Sequence, residues 1–425
     1  MRVLIVSTSE KAGGAALAAE RLVEALINNG VKTKMLVAEK VTDSINVAQL
    51  PNKLRYNINF LWERWCLFLK LHFSRKNLFA IDIANAGTDI TRLPEFKEAD
   101  IIHLHWINQG MLSLSGIRKI LVSGKPVVWT MHDIWPATAL CHITLGCNNF
   151  KSACRKCKYL PSGGSNNDLS ARVWQRKQNM LKGHTVHFVA CSKWLENEAK
   201  QSALLKRHVV KSIPNTIDTQ VFAKSDKKTA RERLGLPQDK RLVLFVSQRV
   251  TNEFKGMDYL VEACNKLTAE NKKWKENTAM VILGGHAEEV AERFAPLPVI
   301  PLGYINDTQS VVDAYNAADI FVLPSLSENL PNTIMEAMAC GVPCVGFDIG
   351  GIPEEIDHKL NGYVARYRDA DDLAAGLYWT VYEANHELLS ANASAKVHST
   401  YSQQSVAKKY ISLYREALAY KNFNL

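Results

Sequence analysis

Along the chain, short and nearly continuous apolar runs alternate with longer segments whose apolar residues return every three or four positions. The runs fall at residues 3–8, 33–38, 100–106, 127–131 and 187–192, and again at 242–247, 280–284, 299–303, 320–324 and 344–347. Runs of this kind predict strands buried on both faces, and the helix-length segments between them predict crossovers in parallel sheets. The two series are separated by His208-Val-Val-Lys-Ser-Ile-Pro-Asn215, which places a domain boundary near Pro214–Asn215. The expected class is therefore α/β, with two doubly wound, Rossmann-like parallel-sheet domains facing a central cleft. Residues 1–214 are expected to form the first domain and 215–400 the second. Residues 401–425, with Tyr410, Leu413, Tyr414 and Leu418 at helical spacing, should form a last helix that packs back on the body. Sheets wound this way bind ligands at the carboxyl ends of their strands, so the loops that follow the runs carry the interest.

One loop stands out. The run 320–324 leads into Ser325-Leu-Ser-Glu328-Asn-Leu-Pro331-Asn332-Thr333-Ile-Met-Glu336-Ala-Met-Ala-Cys-Gly341. Pro331 and Asn332 sit where a helix should begin, and Gly341 sits where it should end. Glu336 lies among Ile334, Met335, Ala337 and Met338, and a carboxylate in such surroundings needs a partner because burying it unpaired is costly. The N–H groups at the helix start favour an anion. Together these features predict a ligand carrying both hydroxyl and phosphate groups.

Other loops add candidates. Glu10-Lys-Ala-Gly13-Gly14-Ala precedes a helical pattern over 16–27, and the paired glycines either admit a ligand to the backbone or make a tight turn. There is no G-x-G-x-x-G, which counts against a dinucleotide-dependent dehydrogenase. In Trp129-Thr-Met-His132-Asp133, His132 ends an apolar run and should point into the crevice. It can hydrogen-bond a sugar hydroxyl or share in proton transfer, unless it is a structural histidine bonded to backbone; His103 and His105 rank below it. Arg249 and Lys255 follow the run 242–247 and precede a helical pattern over 257–267. Two cations there would neutralise a diphosphate leaving group, or else belong to a solvated surface. Gly284-Gly285 and Gly303-Tyr304 end two further runs, so that Gly285 either permits close ligand approach or simply turns the chain, and Tyr304 can flank a nucleobase. Asp369-Ala-Asp371 looks like a metal-binding D-x-D, yet it directly precedes a helical pattern and reads as a helix cap.

Composition narrows the partners. A chain of 425 residues with 47% apolar and 22% charged residues is an ordinary globular one with room for two or three cores. It opens on a strand-like run rather than a secretory signal, and no stretch approaches the ~20 uncharged residues of a membrane span. The expected location is the cytoplasm, at most peripherally on the inner face of the membrane. A net charge of +10 suits an anionic partner, but the cations are too dispersed outside residues 53–76 for nucleic acid. Residues 53–79 interleave Trp62, Trp65, Phe68 and Phe73 with Lys53, Arg55, Arg64, Lys70, Arg75 and Lys76. Such a stretch either lies on an anionic membrane surface or packs Leu61, Trp65 and Phe68 into the first domain. Among the nine cysteines, Cys141, Cys147, Cys154 and Cys157 cluster, with the last two spaced C-x₂-C. They are expected to form a closed structural zinc site rather than a catalytic one, with reduced thiols in a packed loop or a redox-labile pair as the alternatives.

These residues together resemble the retaining GT-B glycosyltransferases of family 4, over nearly the whole chain. The most specific part is Pro324-Ser-Leu-Ser-Glu328 with Glu336-Ala-Met-Ala-Cys-Gly-Val-Pro343, which is similar to the family's E-x₇-E motif. Arg249 and Lys255 match its basic pair, Gly13-Gly14 its glycine-rich donor loop, and Ile213-Pro-Asn-Thr-Ile-Asp218 its interdomain segment. The Trp129–Pro136 motif with the cysteines after it resembles a branch acting in bacterial cell-surface polysaccharide assembly. The resemblance implies transfer of a sugar from a nucleotide-diphosphate sugar to a growing glycan or lipid-linked saccharide, without a catalytic metal. It assigns the donor's ribose to Glu336, the transferred sugar to Glu328, and the distal phosphate to the backbone of Asn332 and Thr333 opposite Arg249 and Lys255. His132 would hydrogen-bond the donor sugar. Where many members have Gly-Phe-Gly after the first Glu, this chain has Asn329-Leu330-Pro331, which stiffens the loop and leaves the sugar open. The competing readings are a non-catalytic nucleotide-sugar binding module, which would more readily have lost Glu328 or His132, and an epimerase or hydrolase, which would want a further acid.

Overall fold

A computed structural model describes residues 1–423. The chain divides into two compact units, one comprising Met1–Pro214 and the segment from Val406 onward, the other Asn215–Ser405.

The first unit is built on β1 (Arg2–Ser9), β2 (Lys32–Glu39), β3 (Val47–Gln49), β4 (Ile101–Leu104), β5 (Val127–Met131), β6 (His187–Ala190) and β7 (Val209–Ser212). All neighbours pair parallel, in the order β3-β2-β1-β4-β5-β6-β7. Alternation along β1 sends Leu4 and Val6 into one core and Val3 and Ile5 into another on the opposite face. The last helix, Gln403–Phe423, covers the second face with buried Tyr410, Leu413 and Tyr414. The Tyr414 hydroxyl lies 2.7 Å from His103 Nδ1 and the Tyr410 hydroxyl 3.0 Å from Thr130 Oγ1, so polar contacts fix its register as well.

The second unit carries β8 (Arg241–Arg249), β9 (Thr278–Gly285), β10 (Val299–Gly303), β11 (Ile320–Leu323), β12 (Cys344–Phe347) and β13 (Gly362–Ala365). Its sheet, also wholly parallel, runs β10-β9-β8-β11-β12-β13. The three strands without an apolar run of their own, β3, β7 and β13, are short and lie at sheet edges, where one side needs no apolar neighbour. Val209-Val-Lys-Ser, which reads as linker in the sequence, is one of them. Asp369 accepts a hydrogen bond from the Asp372 N–H at 2.9 Å, so the D-x-D is a helix cap.

Strand order reverses beside the first strand of each sheet, between β1 and β4 and between β8 and β11. Loops leaving neighbouring strands at such a point turn to opposite faces and open a crevice at the carboxyl end. Among the described residues no helix is long and apolar enough to cross a membrane.

Candidate active site

In the second unit, the loops after β8 and β11 meet at that reversal. Asn252 Oδ1 accepts from the Phe254 N–H at 3.0 Å and starts a single tight turn, Glu253–Lys255. Gly256 closes the turn at φ 70°, where a Cβ would stand 1.8 Å from the Pro324 carbonyl oxygen. Only glycine lets the turn sit this close to the end of β11. The result is an ion pair between Lys255 Nζ and Glu328 Oε1, an oxygen that also accepts from Ser325 Oγ at 3.1 Å. Arg249, the last residue of β8, is exposed and donates from Nε to Thr251 Oγ1 at 3.0 Å.

After Pro331 comes the helix Asn332–Ala339, whose N-cap supplies no side-chain hydrogen bond and whose N-terminus carries the positive end of the helix dipole. Asn332 Oδ1 accepts from Asn215 Nδ2 at 3.1 Å, and Thr333 is half-buried beside it. One turn later Glu336 is buried and accepts from the Tyr315 hydroxyl at 2.7 Å. The carboxylate that the apolar pattern left without a partner therefore has one in the neighbouring helix Thr308–Ala317. Tyr304 follows β10 with its ring exposed. The expected ligand approach at Gly284-Gly285 is taken up within the protein: a Cβ on Gly284 would lie 1.8 Å from the Ser247 carbonyl oxygen, and one on Gly285 would lie 3.3 Å from that of Gln248. These glycines let β8 and β9 close on each other.

In the first unit, the loop after β1 turns at Gly13 (φ 86°) into α1 (Gly14–Asn28), and the space where a Cβ would point is open for 4 Å. The loop forms one wall of a cavity of about 460 Å³. Trp106 and Gln109 form a second wall, and Tyr56, Asn57 and Phe60 from α2 (Lys53–Lys70) form a third. His132, half-buried just past β5, has Nε2 2.9 Å from His105 Nδ1 and Nδ1 3.6 Å from Cys191 Sγ. Burial lowers its pKa to about 4 despite the nearby Asp133, so it is a neutral hydrogen-bonding group at physiological pH. His105 Nε2 is buried without a hydrogen-bond partner among the described residues. His103 is structural, bonded on both ring nitrogens to Tyr414 and Thr130.

Two family descriptions match the chain: "Glycosyltransferase Family 4" over residues 12–221 and "Glycosyl transferases group 1" over residues 240–381. The chain belongs to the family 4 glycosyltransferases. It is similar to an uncharacterized glycosyltransferase of Methanocaldococcus jannaschii, 26% identical over 81% of this chain and 91% of that protein. Among solved structures, sucrose-phosphate synthase from Thermosynechococcus elongatus superposes with a TM-score of 0.65 at 18% identity, covering 98% of this chain and 99% of that one. Anabaena HepE in complex with UDP gives 0.64 at 16% identity over 98% and 100%, and a second crystal structure of it is a complex with UDP-glucose. These structural likenesses establish the GT-B type of fold.

The glycosyltransferase holds its four clustered cysteines around one small cavity of about 20 Å³. Burial pushes the Cys141 thiol up to about 11 and that of Cys154 to about 12, and raises Cys157 as well. Among the described residues no group of three or more His, Cys, Asp or Glu is placed to hold a metal ion. The four cysteines of the expected zinc site are each half-buried.

Two groups of functional interest are invisible in the sequence pattern. Glu355 ends the helix Ile352–Glu355 with both carboxyl oxygens buried and without hydrogen-bond partners among the described residues. Burial, and then the charge of Glu328, push its pKa well above the ordinary range. In the first unit a buried chain of charges runs from Glu63 and Arg64 through Asp82 and His142 to Asp133. His142 bonds Asp82 Oδ2 at 2.7 Å and Asp133 Oδ2 at 2.8 Å, and Trp106 Nε1 donates to the same Asp133 oxygen at 3.0 Å.

Proposed function

We propose that the glycosyltransferase is a retaining enzyme that takes a sugar from a nucleotide-diphosphate sugar and passes it to a growing glycan or lipid-linked saccharide. The observation that carries this reading is the Lys255–Glu328 pair, seated by Gly256 and Ser325 beside the start of the helix Asn332–Ala339. A cation, a carboxylate and a row of aimed N–H groups at one strand-order reversal suit a diphosphate joined to a polyol. The donor's bond between anomeric carbon and phosphate oxygen breaks, and its electron pair departs with the nucleoside diphosphate. Lys255, the helix N-terminus and exposed Arg249 meet that charge. An acceptor hydroxyl forms the new bond on the same face and gives up its proton to the departing phosphate oxygen.

Glu336, steadied by Tyr315, lies toward the ribose hydroxyls, Glu328 lies toward the transferred sugar, and Tyr304 offers a ring to the base. His132, neutral at physiological pH, has both ring nitrogens engaged by His105 and Cys191 and serves to position those groups. The UDP and UDP-glucose complexes of the structurally similar Anabaena protein support a uridine donor. A thermal-shift screen of nucleotides and nucleotide sugars is the test, since ligand binding raises the melting temperature. UDP and a UDP-sugar are expected to stabilise the wild-type protein, and Glu336→Ala to remove most of that shift. An equal shift in the Glu336→Ala protein would overturn the donor site.

A further inference from the structure

The helix α2 is built the wrong way round for a surface helix. Its inward face carries the charged pair Glu63 and Arg64 alongside Tyr56 and Leu67, while Leu54, Ile58, Leu61, Trp62, Trp65 and Leu69 face solvent. Trp62 and Trp65 are 56% and 52% exposed and Leu61 63%, so the alternative in which Leu61 and Trp65 fill the core does not hold. At 100° per residue these six positions form one stripe, roughly opposite Tyr56 and Phe60. Just beyond the helix, Phe73 and Phe79 are exposed as well.

Charge completes the surface. Lys53, Arg55, Lys70, Arg75 and Lys76 are all exposed, whereas Glu63, the segment's acidic residue, is buried. A second copy of this face would set those cations against one another, whereas an anionic bilayer complements both the cations and the rings. The helix is also held stiffly. Glu63 accepts from the N–H groups of Ile83, Ala84 and Gly110, at 3.1, 2.6 and 3.0 Å, and Arg64 pairs with Asp82. A Cβ on Gly110 would lie 2.5 Å from the Phe60 nitrogen, so that loop and helix touch backbone to backbone. The buried charges thus replace the apolar packing that the outward stripe forgoes.

We propose that the outer face of α2 docks the enzyme on an anionic phospholipid bilayer, which brings the cavity walled by Tyr56, Asn57 and Phe60 on the helix's other side to the lipid surface. A polar acceptor head presented from that bilayer then reaches the Gly13–Gly14 loop without leaving its lipid anchor. That the arriving group is the acceptor rests on the transferase reading; the docking itself does not.

The test is flotation of the full chain with vesicles of phosphatidylglycerol and phosphatidylcholine in equal parts, against phosphatidylcholine alone. Partition is expected to be about tenfold or more stronger on the anionic vesicles, and to fall about tenfold in Trp62→Ser/Trp65→Ser and again in Lys70→Gln/Arg75→Gln/Lys76→Gln. Brominated lipid should quench tryptophan emission in the wild type and much less in the double Ser variant. The thermal shift with UDP should be the same in all three proteins, so its loss in the wild type would count against the donor reading and leave the docking result standing. Absence of flotation, flotation unchanged by both sets of substitutions, or a dimer that the Ser variant dissolves would each overturn the docking.

Discussion

The two strand-order reversals have the same topology and opposite furnishing. At β8 and β11 the loops bring Lys255, Glu328 and a helix start, all on short segments that leave a strand within a few residues. At β1 and β4 the loops bring small residues, Trp106 and neutral histidines, with Glu39 in the cavity lining and a largely buried chain of charges from Glu63 to Asp133 nearby. The sheet fixes where a ligand binds, and the side chains decide which end of a reaction it serves. A place for a departing diphosphate needs accessible opposite charge. A place that receives a neutral hydroxyl needs shape and hydrogen bonds, and its charges are free to do structural duty.

The sharpest way to break that contrast is to remove the middle of the buried chain. His142→Ala leaves Asp82 with Arg64 and half-buried Asp133 with its Trp106 and Trp135 hydrogen bonds, and is expected to cost about 1.5–3 kcal/mol in urea unfolding, the scale of losing hydrogen bonds to charged groups. Burial alone would lower the pKa of His142, but Asp133 and Asp82 outweigh it and raise it from 6.5 to about 10. Its stabilising contribution is therefore complete below about pH 6.5 and is lost as the pH climbs through about 10. Wild-type stability should fall across that window while the Ala variant's changes less. On the other side, Lys255→Ala should leave the fold nearly intact and lower the rate of sugar transfer by about 10²–10³-fold, the scale of losing one preorganised charge partner. A Lys255→Ala protein that unfolds as readily as His142→Ala would erase the distinction between functional and structural charge.

That distinction also sets how much was legible beforehand. The candidate residues of the second unit stood out because each is a polar anomaly close to an apolar run: Glu336 among aliphatics, Lys255 just past β8. Strands with apolar runs were equally plain, and edge strands such as Val209–Ser212 were not, since they lack the two-sided burial that makes the pattern. Glu63, Asp82 and His142 pair across separations of up to 60 residues, and nothing local distinguishes them from surface charges. The cysteines lie between these cases: close spacing suggested a common site, and the folded loop sets all four, half-buried, around one small cavity.

Smaller effects sharpen the proposed donor side. Tyr315→Phe removes the hydroxyl 2.7 Å from Glu336 and nothing else, and is expected to weaken nucleotide binding about tenfold through one lost hydrogen bond to a charged group. Unchanged affinity by titration calorimetry would mean that Glu336 is oriented by its helix alone.

Glu355→Gln should give the smallest change, and one of opposite sign. Burial, and then Glu328, raise the pKa of Glu355 well above its ordinary 4.5. A carboxyl with a raised folded-state pKa holds its proton more tightly when folded, so folding loses stability as the pH rises past the unfolded value of about 4.5. Glutamine keeps the shape and cannot ionise, so the variant should melt at or above the wild-type temperature at neutral pH and close to it near pH 4.5. The gap should widen steadily between those limits. If Glu355 instead had to ionise in the folded protein, as a second working carboxylate beside Glu328, Glu355→Gln would show no widening gap and transfer would fall with it. Melting curves and transfer rates across that pH range therefore decide whether the donor unit works with one carboxylate at Glu328 or with two.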